Sequence, residues 1–171
     1  MTQAATDRSS ELAAALEVSR EGFMSVLARV DPELLTAPGL VGDWSARELV
    51  AHLGYWAEWA TRVVDHAAEG RLEDLVTDEW DVDAQNAAVA CEVAGRPMDE
   101  ALDREAAAYE ALLARLRETD PALLDVVTPW GATIEGSVIE NGSVHYDEHA
   151  LQIRAWFGDS SEPDEEDDEE A

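Results

Sequence analysis

The segment from Ser45 to Gly70 constrains the fold most strongly, because it has the pattern of one long amphipathic helix. Ser45 and Glu48 form an S-x-x-E capping box immediately before an apolar run, and Gly70 is placed to end the helix. The residues that share one arc, and so predict the buried face, are Leu49, His52, Leu53, Trp56, Trp59, Ala60, Val63 and Val64. The pattern predicts a helix over residues 46–69 with a histidine on its apolar side.

Other segments also show apolar residues at helical spacing. They cover residues 9–30, a shorter stretch of 82–94 after Asp81 as a cap, residues 99–118, and a last helix from about 133–136 to 157 that contains Gly142. Loops with proline and glycine separate them, and no segment has the pattern of a sheet of any size. The sequence therefore predicts an all-α four-helix bundle with a short extra helix.

The length of 171 residues suits one domain. We assign residues 1–8 to an N-terminal arm, residues 9–157 to the bundle and residues 158–171 to a disordered acidic tail, which has too little apolar surface to bury. The start lacks the pattern of a secretory signal, and no stretch approaches the roughly 20 apolar residues of a membrane span, so we expect a cytoplasmic protein. Cys91 lies in an apolar run and is predicted to be a small buried residue.

The chain is strongly acidic, with a formal net charge of −28, and its 11 basic residues are all arginine. Such a surface repels phosphate backbones and anionic lipid headgroups. We therefore expect neither nucleic acid nor a membrane as a partner.

Two histidines, His145 and His149, lie four positions apart on the predicted last helix, so they share one face. Their arc, which also holds Val138, Asn141, Gln152 and Trp156, is predicted to face the bundle interior. His52 is the natural third member, because it lies on the inner arc of another helix. Three neutral imidazoles can bind one divalent metal and leave a position for water or substrate, which is more typical of a catalytic site than of a structural one. The alternative is a set of partly buried histidines hydrogen-bonded to nearby carboxylates.

Polar neighbours of these histidines are candidates for supporting roles. Asn141 lies one turn before the first histidine of the pair and Gln152 almost one turn after the second, so either can orient a ligand ring or a bound water. Glu48 lies one turn before the histidine of the second helix and can act likewise, although its capping role already explains it. Glu148 borders the histidine arc and is a candidate general base for a water molecule at the metal.

Two runs resemble the DinB-like superfamily: DWSARELVAHLGYW at residues 43–56 and SVHYDEHALQIRAW at residues 143–156. The shared features are a Trp-Ser helix start followed by a histidine, and then a distant H-x-x-x-H with a trailing glutamine. The DVDAQN segment is also similar to a central segment of the superfamily, which often carries an asparagine near the place of Asn86. The superfamily includes DinB and YfiT-like proteins, the N-terminal domain of mycothiol-dependent maleylpyruvate isomerases, and the ClbS/DfsB group. The resemblance spans roughly residues 9–157 and implies a bundle of up-down-down-up order that is often a homodimer.

For the site, the resemblance implies that His52, His145 and His149 bind a divalent metal, usually zinc or nickel, with water completing the shell. It also implies chemistry in which the metal activates a low-molecular-weight thiol, such as mycothiol or bacillithiol, or a water molecule. We therefore expect a metal-dependent thiol transferase or hydrolase that acts on a small electrophile or xenobiotic.

Two other functions are open. One is a binding or protective protein that sequesters a toxic small molecule, with Trp44, Trp56, Trp59 and Trp156 lining its cavity, although ordinary core packing also explains these tryptophans. The other makes the metal a structural clamp between the second and the last helix.

Overall fold

The computed structural model describes residues 3–77 and 80–157. Within these ranges the α-helices are α1 (Gln3–Leu27), α2 (Ala46–Ala68), α3 (Val82–Val93), α4 (Met98–Glu118), α5 (Ile134–Asn141) and α6 (Ser143–Phe157). Short 3-10 helices lie in three of the connections, at Pro32–Leu34, Leu72–Leu75 and Pro121–Asp125. Extended pairing in the described residues is confined to two isolated bridges, so this part of the chain has no β-strand. The predicted all-α bundle with a short extra helix, α3, is confirmed.

Polar contacts between distant residues define the directions in which the helices run. Between α1 and the α4 region, Ser9 contacts Thr119 and Arg20 contacts Glu105. Between α2 and α4, Glu58 contacts Arg104 and Asp65 contacts Arg115. Between α1 and α5–α6, Arg8 contacts Glu135 and Ser19 contacts Asp147. Residue numbers rise together between α2 and α4, and between α1 and α5–α6, but in opposite senses between α1 and α4. The order is therefore up-down-down-up, with α5 and α6 together as the fourth helix.

Helix α2 packs against α3, α4, α5 and α6. Its start has the predicted capping box, in which the Ser45 hydroxyl accepts from the backbone of α2 and the Glu48 carboxylate accepts the Ser45 backbone N–H at 2.9 Å. Every residue of the predicted apolar arc is buried. Gly70 follows the helix with a φ of +68°, a backbone conformation that favours glycine. The local signals for this helix were therefore sufficient to place both its ends and its buried face.

A fully buried carboxylate, Glu105 on α4, joins three helices and was not predicted. Both of its oxygens accept from the Arg20 guanidinium of α1 at 2.8 Å, and Oε1 also accepts from the Tyr146 hydroxyl of α6 at 2.5 Å. The Arg20 guanidinium also stacks on the Tyr109 ring, 4.2 Å from its centroid. Burial, together with the charge of Glu105, raises the pKa of Tyr146, so this phenol stays protonated and donates. The network ties α6 to α1 and α4.

The predicted last helix is two helices, because Gly142 interrupts it. A β-carbon at this position would lie 2.6 Å from the carbonyl oxygen of Val138 and 3.3 Å from the Leu16 side chain of α1. Only glycine therefore allows this close approach. Helix α1 begins at Gln3 rather than at residue 9, so the described residues of segment 1–8 are helical.

Cys91 is exposed, so the prediction that it is buried is wrong. Helix α3 buries Val89 and Val93, and a residue two positions from each of them points to the opposite side of a helix. The apolar run around Cys91 therefore covers both faces of a helix that buries only one.

Within the described residues, no helix is both long enough and apolar enough to cross a membrane. The acidic tail predicted for residues 158–171 lies outside the described residues.

Candidate metal centre

The structure brings His52 of α2 together with His145 and His149 of α6. One nitrogen of each ring lies within 4.8 Å of the corresponding nitrogens of the other two. The ring centroids are 4.7 Å apart for His52 and His145, 5.2 Å for His52 and His149, and 4.7 Å for His145 and His149. His52 and His149 are only 7% and 8% exposed. Three imidazoles on two helices therefore converge at a buried point, as the sequence predicts.

A hydrogen bond defines which nitrogen of His149 is available. Its Nδ1 lies 2.6 Å from Oε1 of Gln152, and because an amide oxygen can only accept, Nδ1 carries the proton. The lone pair is then on Nε2, which is buried and has no hydrogen-bond partner in the described part of the chain. A buried polar atom without a partner is costly, and a metal ion would satisfy it. Gln152 therefore contacts this ring, although it is exposed and does not face the bundle interior as its arc predicts.

The His52 ring is held between polar and aromatic neighbours. Its Nε2 lies 2.8 Å from Nε2 of His145, so one of these nitrogens donates a hydrogen bond to the other. The Trp56 indole N–H points at Nδ1 of His52 at 3.2 Å and at Oδ1 of Asn86 at 3.0 Å. The Trp44 ring packs beside His52 with centroids 5.2 Å apart. These contacts fix the plane of the His52 ring.

All three imidazoles are neutral at pH 7. Burial, with the charge of His149 as a second cause, lowers the pKa of His52 to about 4, against a hydrogen bond with Asn86. Burial and then the charges of His52 and His149 lower the pKa of His145 to about 2. Burial lowers the pKa of His149 as well, although Gln152 and Glu148 oppose this change. Neutral imidazole is the form that binds a metal, so the site needs no proton release from these rings.

Three other predicted site residues differ in whether they border the cavity near the histidines. Glu148 is exposed and borders the same cavity as His145. Asn141 also borders the cavity, and its amide donates to the Ser137 carbonyl at 2.8 Å. The Glu48 carboxylate accepts from Ser45 and pairs with Arg47 at 2.7 Å, so its contacts are those of a helix cap.

A cavity of about 500 Å³ opens beside the histidines. Its lining residues are His52, Trp56, Trp59, Leu75, Val76, Trp80, Val82, Asn86, Pro129, Trp130, Glu140, Asn141, His145 and Glu148. Of the predicted tryptophans, Trp56 and Trp59 line it, whereas Trp156 is not among the lining residues and packs against the core. Trp44 contacts the His52 ring but is likewise not a lining residue.

The cavity also uses residues that the sequence pattern did not single out. Trp80 and Trp130 lie in connections outside the α-helices, where periodicity gives no signal. Trp80 stacks on Trp59 with centroids 4.4 Å apart, and Trp130 lies 6.0 Å from Trp59. Glu140 was missed because it lies about 100° around the helix from Asn141, outside the arc that the histidines share. Asn86 was indicated only by the resemblance of the DVDAQN segment to a central segment of the superfamily.

Comparison with solved structures identifies similar folds. The colibactin self-resistance protein ClbS, solved in complex with a dsDNA, matches with a TM-score of 0.73 and 17% identity over 88% of this chain and 95% of that chain. An uncharacterised protein from Escherichia coli UTI89 matches with a TM-score of 0.71 and 16% identity over 88% of this chain and 92% of that chain. No curated protein sequence matches significantly.

The complex of ClbS with dsDNA contradicts the expectation that nucleic acid is excluded as a partner, and that exclusion is wrong. It was argued from a net charge of −28, which sums over the whole chain. A sum of this kind does not describe the charge of any one surface, and contacts to nucleic acid are made by local surfaces.

A family model matches residues 16–139, which include His52 and end before His145. The model is described as the mycothiol maleylpyruvate isomerase N-terminal domain. Because this match covers more than half of the sequence, the chain belongs to that family, within the DinB-like superfamily.

Proposed function

We propose that the protein is an enzyme that depends on a divalent metal held by His52, His145 and His149. The observation that supports this most directly is the buried Nε2 of His149, which has no partner among the described residues. It belongs to a ring that offers one nitrogen within 4.8 Å of a nitrogen of each of the other two rings. Neutral imidazoles suit zinc and nickel, the metals that the superfamily resemblance implies.

The metal would supply Lewis acidity, which lowers the pKa of a thiol or water that binds it and so makes a nucleophile at neutral pH. We favour a thiol such as mycothiol, because the family description names it. The reaction would then be transfer of the thiol to a small electrophile, and hydrolysis is the version with water as the nucleophile.

The chain's own residues have distinct tasks in this proposal. Glu148 would accept the proton that leaves the thiol or water, because it borders the cavity beside His145 and is exposed enough to pass the proton to solvent. Gln152 would hold the His149 ring in its ligating tautomer. The tryptophans beside the histidines would displace water from the substrate.

Metal analysis tests the site itself. Protein prepared without a histidine tag and repleted with zinc or nickel should hold about one metal per chain. His149→Ala should lose the metal, whereas His66→Ala, a matched change of the α2 histidine whose ring bonds the Arg62 carbonyl, should retain it. If fewer than about a tenth of the wild-type chains hold a metal ion, the proposed metal site is wrong.

Measurements of thiol-transfer activity distinguish a catalytic role of the metal from a structural one. The metal-loaded protein should conjugate a thiol to small electrophiles, and Glu148→Gln should slow this reaction by about 10²–10⁴-fold with the metal still bound. If His149→Ala loses metal but keeps both the melting temperature and the activity, neither catalysis nor a structural clamp is the role of the metal.

A second candidate is a protective protein that sequesters a small molecule without turnover. The cavity of about 500 Å³ beside the histidines favours it, and ClbS, whose fold is similar, is a self-resistance protein. Stoichiometric binding of an electrophile without product would support sequestration over catalysis. Because ClbS was solved with dsDNA, titration with dsDNA belongs to the same set of measurements.

A further inference from the structure

The cavity beside the histidines has two unlike walls. The first wall is aromatic and consists of Trp56, Trp59, Trp80 and Trp130. Trp80 and Trp130 are 37% and 44% exposed, which is unusual for such large apolar rings and leaves part of each ring free to contact a ligand. Val76 and Val82, which are 50% and 46% exposed, extend this wall. Four exposed large apolar side chains therefore lie at this one opening.

The second wall is polar and acidic. Glu140 of α5 and Glu148 of α6 are exposed carboxylates that line the cavity together with Asn141 and His145. Among the described residues that line the cavity, none is an arginine. The guanidinium of Arg62 lies 5.0 Å from the centre of the Trp59 ring, but Arg62 is not a lining residue and is exposed to solvent. The side chains around the cavity thus carry negative charge that no lining cation neutralises.

These two walls have the same electrostatic preference. The face of an indole ring carries negative charge and attracts cations, most strongly when the cation is partly desolvated. Carboxylates at the rim of a low-dielectric cavity attract cations as well, and the acidic chain adds to this field. A divalent metal at the histidines would offset the charge of the two carboxylates, but it would leave the indole faces unchanged.

We propose that the cavity binds a planar aromatic molecule that carries a positive charge, with its ring against Trp80 and Trp130 and its charge facing Glu140 and Glu148. The proposal rests on the proposed function insofar as it takes this cavity to be the substrate site. The cavity volume of about 500 Å³ accommodates a bicyclic ring with its substituents. An anionic ligand of the same shape would meet two carboxylates and the exposed parts of the indole rings, and should bind more weakly.

Binding of three probes of similar shape tests this preference: 1-methylquinolinium as the cation, 2-naphthol as the neutral molecule and 2-naphthoate as the anion. Isothermal titration calorimetry is carried out on the full chain, both as purified and after metal removal. The cation should bind about tenfold more tightly than the neutral probe, a difference within the range of cation–π and rim electrostatics, and the anion should bind most weakly. Tetramethylammonium, a cation without a ring, should bind more weakly than 1-methylquinolinium.

Variants assign the preference to the two walls. Glu140→Gln should weaken binding of the cation about threefold or more and leave binding of 2-naphthol unchanged. Glu110→Gln, the same change at an exposed position of α4 outside the cavity, should affect neither probe. Trp80→Ala should weaken binding of both probes.

Equal affinity for the cation and the neutral probe, or tighter binding of the anion to the metal-free protein, would overturn the proposal. An equal effect of Glu140→Gln and Glu110→Gln would overturn it as well. Because these measurements need neither metal nor turnover, they are independent of the metal analysis. Failure of metal binding with a retained preference for the cation would refute the enzyme and not the ligand class.

Discussion

Replacement of Arg20 by methionine should destabilise the protein more than most single substitutions. Glu105 is 0% exposed, and Arg20 supplies two of its hydrogen bonds at 2.8 Å. In Arg20→Met the carboxylate would keep only the Tyr146 hydroxyl as a partner. The substitution therefore leaves a buried charge without its cation.

The expected cost is about 3 kcal/mol in the free energy of unfolding. Removal of one member of a buried ion pair typically costs about 3–5 kcal/mol. The lower end applies because the Arg20 side chain is 22% exposed, so solvent already screens part of the attraction. Replacement of both members by apolar residues of similar volume is often nearly neutral. The double variant Arg20→Met/Glu105→Leu should therefore be more stable than Arg20→Met alone.

Urea unfolding at pH 7, followed by circular dichroism with a chelator present, measures these differences. Arg154→Met, the same change at an exposed arginine of α6, serves as the control for loss of one positive charge. If Arg20→Met lies within about 1 kcal/mol of the wild type, or if the double variant is less stable than the single one, the account of this buried pair is wrong.

Three further perturbations probe the site and the helix that carries it. Metal-free protein should lose stability as the pH falls from 6.5 towards 4, because the pKa of His52 is lowered from 6.5 to about 4 and the unfolded chain then binds more protons. For this ring, the free energy of unfolding should fall by up to about 1.4 kcal/mol per pH unit. If the His52→Gln variant shows the same slope of stability against pH as the wild type, this explanation is wrong. Gly142→Ala should lower the free energy of unfolding by about 1–3 kcal/mol, because the alanine β-carbon would lie 2.6 Å from the Val138 carbonyl oxygen. Thermal unfolding measures this effect, and an unaltered melting temperature would contradict it. Gln152→Leu should weaken zinc binding about 10–100-fold in a chelator competition without changing the fold, and wild-type affinity would show that Gln152 does not orient the His149 ring.

Local patterns were enough to predict most of the helices and the buried side of α2. The capping box at Ser45 and Glu48 and the apolar arc of α2 act within one helix, so their signals lie within a few turns of sequence. For the same reason the pair His145 and His149 could be assigned to one face of the last helix. The spacing of these histidines is a property of the α-helix and does not depend on its neighbours.

Contacts between helices lie beyond such patterns. The Leu16 side chain of α1 lies 3.3 Å from where a β-carbon at Gly142 would be, and the buried carboxylate of Glu105 is paired with Arg20 from the same helix. Trp80 was not predicted either, because it lies in a connection where apolar residues do not recur at helical spacing.

The sequence by itself therefore determined an all-α bundle and three inward histidines, because helical periodicity and capping are local. The tertiary structure decided that one nitrogen of each of these histidines lies within 4.8 Å of the others. It also decided that Trp80, Trp130, Glu140 and Glu148 surround one cavity beside them. The physical reason is that convergence depends on how separate helices and connections pack in three dimensions, and that packing joins residues far apart in the chain.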